Sequence, residues 1–290
     1  MNVLVFDIGG TAIKYGRYVD GVLTDVQECP TDAKRGGRHV LDTVISLIRP
    51  QSGYDAIGVS TAGQVNAQTG SIIYANSNIP GYTGMQIRAE LEALFGVPVA
   101  VENDVNAAAL GEAIAGAGQD YADFLCLTYG TGVGGAIVQN REIYHGSSFS
   151  AAEFGAIVTH SEEKIHQTDF FDGCYERYAS ATALVEKAMA YDSTLNSGRK
   201  VFARLDDANI LAIIDRWTDE VMLGLSTLVH IFNPSCIILG GGVMNTTRRD
   251  KEHIARRTGY KASVCENRKL SPLDKKQLDR RMIMGADKLL

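Results

Sequence analysis

VLVFDIGGTAIKYGRY, residues 3–18, decides the fold. Val3 to Phe6 is a short apolar run rich in β-branched residues, which reads as a central strand. Ala12 to Tyr18 alternates loosely, as a strand paired to the first would. The DIGGT stretch between them, Asp7 to Thr11, is therefore a hairpin-type turn. Asp20-Gly21 gives a second turn, and a third strand follows it. Only then does a helix come, with apolar residues at helical spacing from His39 to Ile48 and Pro50 to end it. Three strands before the first helix is a mixed α/β opening, unlike the strict alternation of a dinucleotide fold.

The second half echoes this pattern. Asp123 to Tyr129 is a strand, Gly130-Thr-Gly-Val-Gly-Gly135 a glycine turn, and Ala136 to Gln139 a second strand, with a short third strand after Asn140-Arg141. The echo predicts duplicated α/β domains facing each other across a central cleft. The composition shift after Gly116-Ala-Gly118 sets the expected boundary at residue 118. The first domain is then 1–118, with a final helix at 274–290 packing back on it, and the second is 119–273.

Both glycine turns can present backbone N–H groups to an anion. In the first, Gly9, Gly10 and Thr11 are followed by the cation Lys14, and Asp7 offers a carboxylate able to hold Mg²⁺, directly or through water. An ordinary Gly-Gly hairpin would look the same. The second turn supplies Gly130, Thr131, Gly132 and Gly134. It is no dinucleotide fingerprint, because the spacing fails and a strand follows it. Gly240-Gly241-Gly242, after the apolar run from Cys236 to Leu239, leaves a backbone on which a flat ring could lie. A flexible strand-to-helix turn is the alternative.

The candidate base lies between these turns, in VPVAVENDVNAAALGE (97–112). Val97 to Val101 reads as a buried strand, and an alanine-rich helix starts at once. Asp104 thus stands at a strand-to-helix junction, where open α/β sheets place ligands. Asn103 or Asp104 acting merely as a helix cap is the competing reading. Upstream, Ser60 to Asn66 is small and polar, suited to line a pocket around Gly63. Asn76 and Asn78 could read sugar hydroxyls or simply form a turn. Glu153 and Glu176 sit near loops of the second half, where carboxylates could accept hydrogen bonds from sugar hydroxyls. Glu176 could equally be a first-turn glutamate of a helix running on through Val185. His160 and His166 read as surface residues.

Composition narrows the classes. The chain of 290 residues carries a net charge of −6 and 45% hydrophobic residues. Its acidic balance, with basic residues interspersed among acids at 248–281, argues against nucleic acid. No apolar run is long enough to span a bilayer. The N-terminus reads as a strand, not a signal peptide, so the expected location is the cytoplasm. Five widely spaced cysteines contain no CxxC pair.

With these pieces placed, the chain resembles the ROK family of sugar kinases, in the actin/hexokinase/Hsp70 ATPase superfamily with its ribonuclease H-like domains. DIGGT (7–11), STAGQVN (60–66), VENDVNAAALGE (101–112), LTYGTGVGGAIV (127–138), AEFG (152–155), Glu176 and ILGGGV (238–243) recur in the family's order. The resemblance implies ATP-dependent phosphorylation of a hexose-type hydroxyl, with Asp104 as general base and Asn103 as a sugar contact. It makes Glu153 and Glu176 sugar-binding residues, and the three glycine runs the sites of ATP and its phosphates. It also implies a homodimer.

One departure stands out. The family's ExGH and CxCGxxGC motifs bind structural zinc, but here the His position is Ala156. Gln167 and Asp169 stand where the first two cysteines would be, and only Cys174 remains. No structural zinc is expected. The missing His leaves the sugar open among glucose, a related hexose, a β-glucoside and N-acetylmannosamine. The chain starts at the first strand, so the DNA-binding domain of the family's repressors is expected to be missing. A non-catalytic sugar sensor and an actin- or chaperone-like ATPase are the alternatives on the same fold.

Overall fold

The computed structural model describes residues 1–165 and 168–243. These divide into two compact units. The first contains Met1–Gln119 and Glu142–Ala151, and the second Asp120–Arg141 and the described residues from Ala152 onward.

The first unit opens with β1 (Asn2–Ile8), β2 (Ala12–Val19) and β3 (Val22–Pro30), an antiparallel meander. Asp20 and Gly21 join β2 to β3 with φ of 50° and 87°. Positive φ at both turn positions suits the right-handed twist of the flanking strands. Next come α1 (Gly37–Ile48), β4 (Ala56–Thr61), and the small hairpin of β5 (Gln64–Asn66) with β6 (Ser71–Tyr74). Then follow α2 (Ile87–Phe95), β7 (Val99–Asn103) and α3 (Asp104–Ala115). The five-stranded sheet has the order β3-β2-β1-β4-β7, and β1, β4 and β7 run parallel. Parallel neighbours need crossovers, which α1 and α2 provide.

Residues 3–8 of β1 are all buried, as a central strand covered on both faces requires. Leu4, Phe6 and Ile8 pack with Val40, Leu41, Val44 and Ile48 of α1 and with Ile87 and Leu91 of α2. Val3 and Val5 point the other way, towards Tyr18 and Ala56. The 3–4 spacing of the α1 residues makes the stripe that this face buries. Gly96, at φ 67°, ends α2 in the left-handed conformation that glycine adopts at no steric cost.

The second unit is built on β8 (Phe124–Tyr129) and β9 (Val133–Gln139), an antiparallel pair, and β11 (Ile237–Gly240), parallel to β8. The arrangement β9-β8-β11 repeats β2-β1-β4 of the first unit, as the sequence echo predicts. The two-residue β10 (Glu142–Ile143) opens the segment that belongs with the first unit. The helices are α4 (Ser161–Ile165), α5 (Glu176–Ala179), α6 (Ala181–Tyr191), α7 (Gly198–Phe202) and α8 (Ala208–Phe232).

The helix expected from Glu176 through Val185 is in fact two. Ser180 takes an extended conformation, and its side chain accepts from the Ala183 amide, starting α6 afresh. A serine that can cap competes with helix continuation. Trp217 of α8 secures the break, because its indole N–H donates to the Ala179 and Ser180 carbonyls, both at 3.0 Å. The final helix expected at 274–290 lies outside the described residues.

Candidate active site

In the first unit, β7 ends at Asn103 and α3 begins at Asp104, with no loop between them. Asn103 caps the helix. Its side-chain oxygen accepts from the amides of Val105 at 2.9 Å and Asn106 at 3.2 Å. Such a cap contributes about 1 kcal/mol, which accounts for residue 103. It does not require a carboxylate at 104. The Asn103 Nδ2 donates to the Gly63 carbonyl at 2.9 Å and to Asp104 Oδ1 at 3.0 Å. Asp104 Oδ1 also accepts from the Val105 amide at 2.9 Å. The carboxylate is thus oriented at a helix N-terminus, where a negative charge is favoured, and remains half-buried. Gly63 is fixed by its own geometry. Its φ is 98°, and a Cβ there would lie 2.8 Å from the Tyr74 carbonyl.

The strand registers set out a polar row. Lys14 on β2 pairs with Asp7 on β1, Asp7 with Ser60 on β4, and Ser60 with Glu102 on β7. Residues in register on neighbouring strands share a face of the sheet. Asp7 and Ser60 are buried, and the Ser60 hydroxyl donates to Asp7 Oδ1 at 3.0 Å. Glu102 is fully buried. It accepts from the Asn103 amide at 2.8 Å and from Asn106 Nδ2 at 3.0 Å. Its second oxygen meets His145 Nε2 at 2.7 Å. Burying a lone carboxylate costs several kcal/mol, so these partners must offset that cost.

The DIGGT loop stands at the end of the same strands. Thr31 Oγ1 donates to the Gly9 carbonyl at 2.6 Å, and the Gly9 amide donates to the Ala12 carbonyl at 3.1 Å. Gly10 and Thr11 are exposed. A Cβ at Gly10 would meet no protein atom, so packing gives no reason for glycine there. Asn78 lies in an exposed turn, where its amide donates to Asn76 Oδ1 at 3.0 Å. The Asn76 side chain is therefore a turn former.

In the second unit the glycine turn closes around Glu176. Glu176 Oε2 accepts from the Val133 amide at 2.9 Å. A Cβ at Gly132 would lie 2.1 Å from that oxygen, and one at Gly155 would lie 3.1 Å from it. Both glycines leave room for the carboxylate. Burial raises the Glu176 pKa, the Val133 N–H pulls it back, and the Glu153 charge raises it again. Glu153 is exposed and precedes a short 3₁₀ turn, Phe154–Ala156. Behind Glu176, Tyr175 is fixed to α8. Its hydroxyl donates to the Val221 carbonyl at 2.7 Å and meets the Tyr129 hydroxyl at 2.7 Å. Its ring fills the space over Gly224.

Gly130 and Thr131 form the tip of the turn, with Gly134 already in β9. A Cβ at Gly130 or Gly242 would meet nothing. Gly241 differs. Its φ is 101°, and a Cβ would lie 2.1 Å from the Tyr129 carbonyl. Gly241 is thus required by packing of the Gly240–Gly242 turn on β8.

The stretch that resembles the family's zinc motif is tied by other bonds. Lys164 Nζ donates to the Phe170 carbonyl and lies 3.6 Å from Cys174 Sγ. Arg177 pairs with Asp169 at 3.0 Å. Among the described residues no group of three or more His, Cys, Asp and Glu could hold a metal ion. Gln167 and His166 lie outside them. His160, expected at the surface, is instead packed, stacked on Tyr178 at 3.7 Å with its Nε2 3.5 Å from Glu220.

Sequence reading passed over His145, because nothing near it in the chain marks it. Its partner Glu102 is 43 residues away. Only the register of β7 and the return of 142–151 to the first unit bring the two together.

The ROK family model matches residues 3–290. The chain belongs to the ROK family. It is 32% identical over 278 residues to a β-glucoside kinase of Listeria monocytogenes, covering 92% of each chain. Among solved structures it matches a ROK hexokinase from Thermus thermophilus at TM-score 0.80 and 28% identity, covering 100% of this chain and 97% of that one. It also matches a ROK family glucokinase from Streptomyces griseus, solved with glucose and AMPPNP, at TM-score 0.78 and 27% identity, over 100% and 99% of the two chains. These likenesses give the ROK chain the two-domain actin/hexokinase-type ATPase fold. Among its described residues no helix is long and apolar enough to cross a membrane.

Proposed function

We propose that the protein transfers the γ-phosphoryl group of ATP to a hydroxyl of a hexose or hexose derivative, with Asp104 as general base. Its family and its named relatives make it a sugar kinase; the acceptor and the base are the finer reading. The observation that carries the base is the orientation of Asp104. Two donors hold one oxygen, Asn103 Nδ2 at 3.0 Å and the Val105 amide at 2.9 Å. A sugar hydroxyl is a poor nucleophile, and a positioned carboxylate takes its proton as the bond to phosphorus forms. Asn103, Gly63, Glu153, Glu176 and Asn78 are read as the acceptor's contacts.

Gly9, Gly10, Thr11 and Lys14 in one unit, and Gly130, Thr131, Gly132 and Gly134 in the other, are read as phosphate-binding. Gly240 to Gly242 is read as the adenosine side. The open space at Gly10, Gly130 and Gly242 supports this, since a ligand's close approach explains glycines that packing does not. Asp7 is a hard oxygen donor beside the DIGGT loop, which suits Mg²⁺ shared with phosphates. When bound, that ion would neutralise charge developing on the phosphates.

Among acceptors, a β-glucoside is favoured. Ala156 puts a methyl group where the family carries an imidazole, and the relative from L. monocytogenes is named a β-glucoside kinase. The smaller side chain would leave room for an aglycone. A cytoplasmic homodimer without structural zinc, divided into functional domains near residue 118, belongs to the same reading.

The test is ADP release with ATP, Mg²⁺ and a panel of glucose, N-acetylmannosamine, cellobiose and salicin. Salicin or cellobiose should give the highest kcat/KM. Turnover with none of the four would favour a non-catalytic sensor.

A further inference from the structure

Glu102 and Asp104 flank Asn103, and a chain of hydrogen bonds joins them. His145 Nε2 meets Glu102 Oε2 at 2.7 Å. Glu102 Oε1 accepts from the Asn103 amide and from Asn106 Nδ2, and Asn103 Nδ2 donates to Asp104 Oδ1. Glu102 thus grips both the last residue of β7 and the first turn of α3. We infer that His145 and Glu102 are a positioning pair, which fixes the pitch of that first turn and sets the charge felt by Asp104. The inference rests on the reading of Asp104 as base.

Two features argue that the pair is more than packing. The first is its charge. A fully buried carboxylate needs a donor for each oxygen, and His145 supplies the one that the local chain does not. Among the described residues the groups facing Glu102 are these. Across the sheet they are Ser60, then Asp7 and Lys14. On α3 they are Asn106 and, beyond it, Asp104; from the segment 142–151 there is His145. The second feature is how His145 is held. Its ring lies 5.7 Å from that of Phe149, and its carbonyl accepts from the Ala151 amide at 3.2 Å. Ser150 Oγ donates to Gln64 Oε1 at 3.0 Å. The segment is therefore anchored to the first unit at two points, the base's strand and the start of β5, next to Gly63.

Charge and donor can be separated by substitution. Glu102→Gln keeps an acceptor for the Asn103 amide and removes a negative charge near Asp104. His145→Phe keeps a ring and removes the donor to Oε2, so that less positive charge offsets the carboxylate while the Asn103 amide and Asn106 Nδ2 still reach Oε1. The two changes act on Asp104 in opposite directions. In the profile of kcat against pH, with salicin as acceptor (or glucose if the panel selects it), activity falls as the base takes up its proton. Glu102→Gln should shift that acid limb to lower pH and His145→Phe to higher pH, each by roughly half a unit or more. His145→Phe should also lower kcat about ten- to a hundredfold, with both KM values within about threefold of wild type, as for a misaligned base. His145→Gln, which offers an N–H near the Nε2 position, should restore most of that kcat.

Acid limbs that coincide in wild type and both variants, or a loss confined to KM, would overturn the inference. If His145→Phe does not fold, the near-isosteric Glu102→Gln carries the test alone, and an unmoved acid limb there is decisive against it. Asp104→Asn separates the inference from its foundation. Wild-type turnover in that variant removes the base assignment itself. An inactive Asp104→Asn beside a fully active His145→Phe removes only the positioning pair.

Discussion

Glu176 Oε2 accepts the Val133 amide at 2.9 Å through a gap that exists because residue 132 has no side chain. The glycine turn and the carboxylate therefore fit each other, and changing one must move the other. Gly132→Ala would put a Cβ 2.1 Å from the Glu176 oxygen. The side chain would have to swing away and give up the amide. A charged hydrogen bond is worth roughly 1.5–3 kcal/mol, so the acceptor KM should rise about ten- to a hundredfold. Steady-state kinetics with varied sugar at saturating ATP checks this. An unchanged sugar KM would take Glu176 out of the acceptor site.

Gly10→Ala and Gly130→Ala make the converse test. Neither glycine has positive φ, and a Cβ at either would meet no protein atom. Both variants should melt within a few degrees of wild type, since a surface change away from such constraints alters stability by about 0.5 kcal/mol or less. Both should nevertheless raise the KM for ATP, because the added methyl obstructs close approach of phosphate to backbone N–H groups. Unchanged ATP kinetics in both would leave the loops as ordinary turns.

Asp104→Asn should keep the start of α3, because an amide oxygen at 104 can still accept from the Val105 amide. Melting temperature and sugar affinity should therefore stay close to wild type. The lost base should lower kcat on the order of a thousandfold or more. Isothermal titration with the sugar and single-turnover kinetics separate the two effects. Turnover comparable to wild type would mean that Asp104 is only a first-turn residue.

These tests divide along what the chain discloses by itself. The meander of β1 to β3 and its echo in β8 and β9 were legible because alternation, β-branched residues and glycine turns are local signals. The junction at Asn103-Asp104 was legible for the same reason, and the structure starts the helix at Asp104 itself. The break at Ser180 was not, since a serine inside an apolar-periodic run caps only when tertiary contacts favour it, here the Trp217 indole on the Ala179 and Ser180 carbonyls. His145 was not legible either. Its role depends on sheet register and on a segment returning to the first unit, and neither leaves a mark near residue 145.

The pH dependence of stability gives the last test, at Glu176. Burial is the largest influence on this carboxyl and raises its pKa in the folded protein above the usual 4.5. The folded state therefore holds the proton more tightly than the unfolded chain does. That contribution to stability is fully present below the unfolded value and is lost as pH rises through the folded one. Glu176→Gln has no proton to lose, and its side-chain oxygen can still accept from the Val133 amide. The melting temperature of the variant minus that of wild type should thus increase as pH rises from about 4, then level off above the folded pKa. Thermal melts of both proteins from about pH 4 to 7 measure this difference. A difference that stays flat over that range would mean that Glu176 is solvated like an ordinary surface glutamate. A difference that falls with rising pH would mean that the Val133 amide outweighs burial, so that the ionised form is the one the fold prefers.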